Sequence, residues 1–371
     1  MTRTVILFAL LFAACAPNRG DAFEKSMAEA RRAYHAGRFD EAATRYDQAA
    51  KTANLPRDAV HARYEAALAR LRSGDVAHAT AELRAIASLS PPAEDSASAA
   101  FKLAELTLAT HEAAGYGELE AVATRFPENG VARLALLRVL RREDEKEGAE
   151  KTLAHLERIA PSVRDTTLEQ TVLFERAKRL ATLDRSKDAR DGYIAIADRW
   201  PYPFGVYFDD ALYGAGEMAL KLGQPEEAIA LWERLLSKRE TSSFIGSYER
   251  PKYVPAILKI AQVSEHQLHD RKRAKEALHR LYADFKTSTL RDDALWREAE
   301  LWRKDGDTST ACDRLDTLAS DFPDSRYVPC AIERCPGVKR ASKSKAPKTC
   351  HPYLLEDRDL SADPAPAPAP P

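Results

Sequence analysis

Apolar residues along this chain return at the three-and-four spacing of one helix face, and the apolar stretches are separated by short polar turns. Four turns share a layout: Gly37-Arg-Phe-Asp-Glu-Ala42, Gly74-Asp-Val-Ala-His-Ala79, Gly223-Gln-Pro-Glu-Glu-Ala228 and Gly306-Asp-Thr-Ser-Thr-Ala311. Gly can take the left-handed conformation that ends one helix. Asp40, or Pro225 with Glu226 and Glu227, suits the first turn of the next. Ala149, Ala189 and Ala274 mark weaker copies that keep the Ala without the Gly pattern. Four residues beyond each Ala stands a large side chain, at Tyr46, Leu83, Leu153, Tyr193, Trp232, Leu278 and Leu315. That spacing puts the small and the large residue on one face, where two helices cross. Pro91, Pro127, Pro161, Pro201 and Pro323 close successive units, and the first four are 36, 34 and 40 residues apart.

This set of features resembles the tetratricopeptide repeat, whose period is near 34 residues. The resemblance covers residues 23–325 in about eight units. It implies an all-α fold, an α-solenoid of antiparallel helix pairs. The third unit, Phe101 to Pro127, is the least regular and predicts an atypical turn at Gly115-Tyr-Gly117. The stretched fifth to seventh units also fit a longer-period solenoid of the HEAT kind.

Composition agrees with helix throughout: Gly numbers only 15, and residues that lose little rotamer freedom in a helix dominate. Lys plus Arg total 56 against 57 for Asp plus Glu, so no global field draws nucleic acid. At the N-terminus Arg3 precedes the apolar run Val5 to Ala14, too short to cross a roughly 30 Å hydrocarbon core. Phe12-Ala13-Ala14-Cys15 resembles the lipobox of bacterial lipoproteins, with Phe12 where Leu is usual. The resemblance implies a signal peptide over residues 1–14 and lipidation of Cys15, which would anchor the protein to a membrane. Ala16 after the cysteine resembles the sorting pattern for an outer-membrane lipoprotein facing the periplasm; plain secretion to the periplasm is the alternative. Residues 15–22 read as a tether.

Two interruptions break the array. Trp200 to Phe208 is an aromatic turn, and Trp200, Tyr202, Phe204 and Tyr207 are the binding candidates, against the simpler reading that aromatics plug a repeat junction. Residues 240–255 read as an insertion, of a kind that often lies on a solenoid's binding face. Beyond Arg326 the pattern decays: Tyr327 to Glu333 predicts a short capping helix, residues 326–351 a Cys-containing cap, and residues 352–371 a disordered tail ending in PAPAPAPP. The basic run Lys339 to Lys348 reads as a solvated linker, the alternative being contact with peptidoglycan or lipopolysaccharide.

Cys312, Cys330, Cys335 and Cys350 cluster at this end, and in an exported protein they predict two disulfides in one of three connectivities. A zinc site with His351 matches no familiar spacing, and His266 with His269 lacks a third ligand nearby in sequence. No nucleophile elbow, phosphate loop or HExxH is present, so no catalytic residue, metal or cofactor is expected. The expectation is a non-catalytic scaffold that holds a protein or peptide in the concave groove of the repeats, similar to envelope-assembly and cell-division-linked repeat lipoproteins. A helical superhelix like that of soluble lytic transglycosylases, acting on or near peptidoglycan, is the alternative.

Overall fold

The computed structural model describes residues 18–238 and 250–355; the expected signal segment, Cys15, most of the insertion expected at residues 240–255 and the end of the tail lie outside them. Seventeen α-helices and no strands are present among the described residues. They form two compact units that divide after Thr171.

The first unit contains α1 (Asp21–His35), α2 (Phe39–Thr52), α3 (Pro56–Ser73), α4 (Val76–Ala87), α5 (Ser96–Leu108), α6 (Glu112–Arg125), α7 (Gly130–Lys146) and α8 (Ala149–Ile159). Turns of a few residues join helices of three to five turns, so each helix lies antiparallel against the next. α1 already begins at Asp21, and Arg19 before it donates to the Asp58 carboxylate at 2.8 Å, so the tether ends earlier than residue 22.

α9 (Glu169–Thr182) opens at the division. The second unit continues with α10 (Ser186–Arg199), α11 (Phe208–Lys221), α12 (Pro225–Leu236), α13 (Tyr253–His266), α14 (Arg271–Asp284), α15 (Arg291–Lys304), α16 (Thr308–Asp321) and the short α17 (Val328–Arg334). Odd-numbered helices through α15 are the first members of eight pairs; α17 is the predicted cap.

One register runs through every second helix. Its fourth residue is small and buried: Ala42, Ala79, Gly115, Thr152, Ala189, Ala228, Ala274 and Ala311. Its eighth is large and buried: Tyr46, Leu83, Leu119, Leu156, Tyr193, Trp232, Leu278 and Leu315. The small residue lets two backbones approach and the large one fills the space a turn later. Two sequence expectations are corrected here. Gly115 and Gly117 make no turn; they lie inside α6, and Gly115 occupies the small position. A Cβ there would sit 2.5 Å from the Leu108 backbone, so this crossing is closer than alanine allows. In the fourth pair the small position is Thr152 and the large one Leu156, three residues beyond Ala149 and Leu153; Leu153 is buried beside them.

The turns explain the weak copies. Gly37, Gly74, Gly223 and Gly306 take positive φ, as the pattern requires. Where glycine is missing, Asp184 (φ 55°) and His269 (φ 54°) take the same left-handed conformation, which Asp, Asn and His adopt more readily than other residues with a side chain.

The C-terminal segment folds further than expected. Disulfides join Cys312 to Cys335 and Cys330 to Cys350. Beyond Cys335, Val338, Ala346 and Leu354 pack into the core formed by Leu315, Leu318, Tyr327 and Val328. The basic run is pinned as well: Arg340 donates to the Ala346 and Pro347 carbonyls, and the Lys345 amide donates to Asp324 at 2.6 Å. Residues 352–355 form a 3-10 turn rather than the start of a disordered tail, because Leu354 is buried.

Candidate interaction surface

Two first helices of the second unit open on one pattern, Phe208-Asp-Asp-Ala-Leu-Tyr213 and Arg291-Asp-Asp-Ala-Leu-Trp296. Acidic side chains suit a helix N-terminus, and here they also reach forward to the entry of the next first helix. Asp209 Oδ2 lies 2.5 Å from Arg250 Nε, and Asp210 lies 3.7 Å from Lys252 Nζ. At the equivalent place Asp293 takes Arg326 at 2.5 Å and the Tyr327 hydroxyl at 2.7 Å, while Ser325 donates to Asp292 at 2.6 Å.

The same direction holds along these helices. Glu217 faces Lys259 at 3.6 Å; Glu265 accepts from Arg297 at 2.9 Å and Lys304 at 2.8 Å; Glu300 faces Arg334 at 3.7 Å. Each first helix offers carboxylates to cations of the next. The resulting face is polar, nearly neutral and held in place by neighbours on both sides. Six buried polar atoms of the second unit have no hydrogen-bond partner among the described residues: Asp209 Oδ1, Glu217 Oε1, Arg250 Nη1, Ser264 Oγ, Glu300 Oε1 and Arg303 Nε. Among the described residues of the first unit His155 Nε2 alone is in that state, 3.5 Å from the Glu120 carboxylate. Native interiors satisfy nearly all such groups, and ion pairs hold three of these six: Glu217 Oε1 with Lys259, and Glu300 Oε1 with Arg303 Nε at 3.4 Å. Burial pushes the Asp209 carboxyl up in spite of Arg250, and pushes Asp292 up with Asp293 adding to it.

The aromatic turn between α10 and α11 divides the predicted candidates. Tyr207 is buried and stacks on Phe174 at 4.3 Å, so it belongs to the core. Trp200 is half-buried, with the Arg199 guanidinium 4.6 Å above its ring. Tyr202 is half-buried under Arg250 at 4.8 Å. Arg250 thus ties the turn to Asp209. Phe204 alone stands out, 83% exposed, with Val206 at 60% beside it. The turn is tight, since the Phe204 and Gly205 amides both donate to the Pro201 carbonyl at 3.1 Å, and a Cβ on Gly205 would strike the Trp200 carbonyl oxygen. The Asp-Asp ladder escaped the sequence reading because carboxylates are common on repeat surfaces; the repeated DDAL segment was the available signal.

His266 ends α13 with Arg297 3.3 Å away, and His269 lies in the following turn, so the pair shares no helix face. No group of three or more His, Cys, Asp or Glu among the described residues is placed to hold a metal ion. No helix among them is long and apolar enough to cross a membrane.

A tetratricopeptide-repeat family pattern matches residues 27–94, and a second matches residues 210–242 and 293–325. Comparison with curated proteins gives no match. Among solved structures, Pseudomonas aeruginosa PilF is 17% identical, covering 66% of this chain and 99% of its own, with a TM-score of 0.38. A tetratricopeptide repeat protein from Parabacteroides merdae is 10% identical over 74% of this chain and 98% of its own, TM-score 0.33. Human IFIT1, solved as a dimer with a triphosphorylated AAAA oligomer, is 15% identical over 82% of this chain and 80% of its own, TM-score 0.39. The two family patterns by themselves put tetratricopeptide repeats in both units.

Proposed function

We propose that this chain is a non-catalytic scaffold of the bacterial cell envelope that holds a protein or peptide partner in the groove lined by its first helices. The observation that carries the reading is the ladder on α11, α13 and α15. It fixes polar side chains on one face through ion pairs between successive first helices, a surface suited to an extended, hydrogen-bonding segment. Exposed Phe204 and Val206 lie in the turn that leads into α11 and would supply an apolar anchor for the same partner. The address rests on the N-terminal pattern: an export segment ending in Cys15, lipidated and held at the outer membrane on its periplasmic side.

The site is tested by placing a photocrosslinking residue at Lys259, on the ladder, or at exposed Asp316 on α16, in cells that express the full chain. A discrete adduct from position 259 and none from 316 supports the groove. Equal adducts, or none from 259, sink it. The anchor is tested by Cys15→Ser. Release from the membrane fraction or accumulation of unprocessed precursor supports lipidation; unchanged fractionation with normal processing refutes it.

A further inference from the structure

The third helix pair of the first unit is drawn tight at one end and open at the other. Gly115 brings the start of α6 against the end of α5. Along the second half of α6 a pocket of about 250 Å³ lies between α4, α5 and α6. Its walls are Leu103, Leu106, Val122 and Phe126, and three alanines, Ala87, Ala100 and Ala121, leave the volume unfilled. Ligand sites for whole small molecules run from about 300 to 1,000 Å³. A pocket below that range suits one large apolar side chain.

The rim says what carries that side chain. Arg84 and Arg125 line the opening, are exposed, and have no carboxylate within ion-pair reach among the described residues. The Arg125 guanidinium rests 5.0 Å over the Phe126 ring, held at the mouth by the pocket's own wall. Glu118 is the one acid on the rim. Cations dominate an apolar hole, and arginine forks are suited to carboxylate oxygens.

We infer that this pocket is a second binding site, on the second-helix side of the first unit, for an apolar side chain of an acidic peptide segment. Phe or Leu fills the cavity and flanking Asp or Glu residues pair with Arg84 and Arg125. The site is independent of the first-helix ladder and stands if that reading falls.

The test uses the full-length protein and a fluorescent peptide, Glu-Asp-Phe-Asp-Glu, followed by polarisation. Saturable binding is expected, weakened at least about tenfold by Arg84→Glu with Arg125→Glu, as expected for the loss of one or two charge-assisted contacts. Ala121→Trp, which plugs the mouth from an exposed position, should abolish binding. The same peptide with Ala for Phe, or with Lys for its acids, should not bind. Circular dichroism confirms that the variants keep their helix content; all three positions are exposed, so the fold is not at stake. Lack of saturation by the Phe peptide, equal binding by the double-Glu variant, or equal binding of the Ala peptide would each overturn the assignment.

Discussion

The first helix pair of the first unit and the pairs of the second unit are built on one register and filled in opposite ways. Around α1, α2 and α3 the core is Phe23, Met27, Tyr46 and eight alanines. In the second unit Phe208, Trp232, Tyr253 and Phe285 are all essentially inaccessible. Small residues let helices touch along their backbones; aromatics hold them apart and fill the gap. A core of alanines has little to lose by truncation and no room for additions, whereas a core of rings loses most when one is removed. The two regions should therefore fail under opposite substitutions. All four tryptophans, Trp200, Trp232, Trp296 and Trp302, lie in the second unit, so indole fluorescence reports that unit while circular dichroism reports both.

The largest effect is expected from Trp232→Ala, which empties a site packed over Gly216 and removes the indole hydrogen bond to the Tyr213 carbonyl. It should cost about 3–5 kcal/mol. Ala62→Leu in the first unit should cost about 1–3 kcal/mol by overpacking. In urea titrations the first variant should shift the fluorescence transition and the second only the dichroism. A second-unit transition unmoved by Trp232→Ala would break the comparison.

Next in size come the disulfides, which among the described residues belong to the second unit. They close segments separated by 23 and 20 residues, and each should contribute about 3 kcal/mol by restricting the unfolded chain. Reduction should release residues 336–355 from the core they cover and let the chain at Lys339, Lys343 and Lys345, whose side chains are already exposed, open for cleavage by trypsin. The fragment pattern of the first unit should stay the same. A cap equally resistant with and without reductant would mean that Val338, Ala346 and Leu354 suffice to hold it.

Much of this was legible in the sequence where one side chain dictates one local geometry. Gly74 and Gly306 announce a left-handed helix end, and Ala311 with Leu315 announces a crossing. The register failed where another residue did the same work: Gly115 and Thr152 fill the alanine position, and Asp184 and His269 fill the glycine position, so the pattern persists in shape and not in letters. Pairing of four cysteines was out of reach, because Cys312 and Cys335 meet only through the packing of α16 against α17. The candidate set Trp200, Tyr202, Phe204 and Tyr207 was legible as a turn, but neighbours brought in by the fold, Phe174 and Arg250, decide which ring is free.

The ladder sharpens the comparison through pH. In the first unit the Arg19 guanidinium holds the Asp58 carboxyl below its ordinary value, mainly by hydrogen bonding. That stability is present above the unfolded pKa of about 3.9 and lost as pH falls through the lower folded value. In the second unit burial raises Asp209 and Asp292. Their ionisation opposes folding at neutral pH, and the opposition lifts as pH falls through the raised folded value. The stability advantage of the natural chain over Asp58→Asn should shrink on acidification below about pH 4. Its advantage over Asp209→Asn should grow between neutrality and that point. Parallel slopes would show that Arg250 neutralises Asp209 fully and that the ladder carries no burial penalty.

The smallest effect on stability is expected from Phe204→Ser, and it is the most informative about function. Phe204 and Phe208 stand four residues apart in one turn, one 83% exposed and the other 2%. Serine at 204 removes no packed contact, so the fluorescence transition should move by no more than about 0.5 kcal/mol. If the ladder and its apolar neighbour form one surface, the same substitution should weaken the photocrosslink from position 259 while leaving the fold intact. A loss of stability comparable to that of a core residue would place Phe204 among the junction plugs. Stability and crosslinking both unchanged would separate the exposed ring from the groove, leaving the ladder alone to hold the partner.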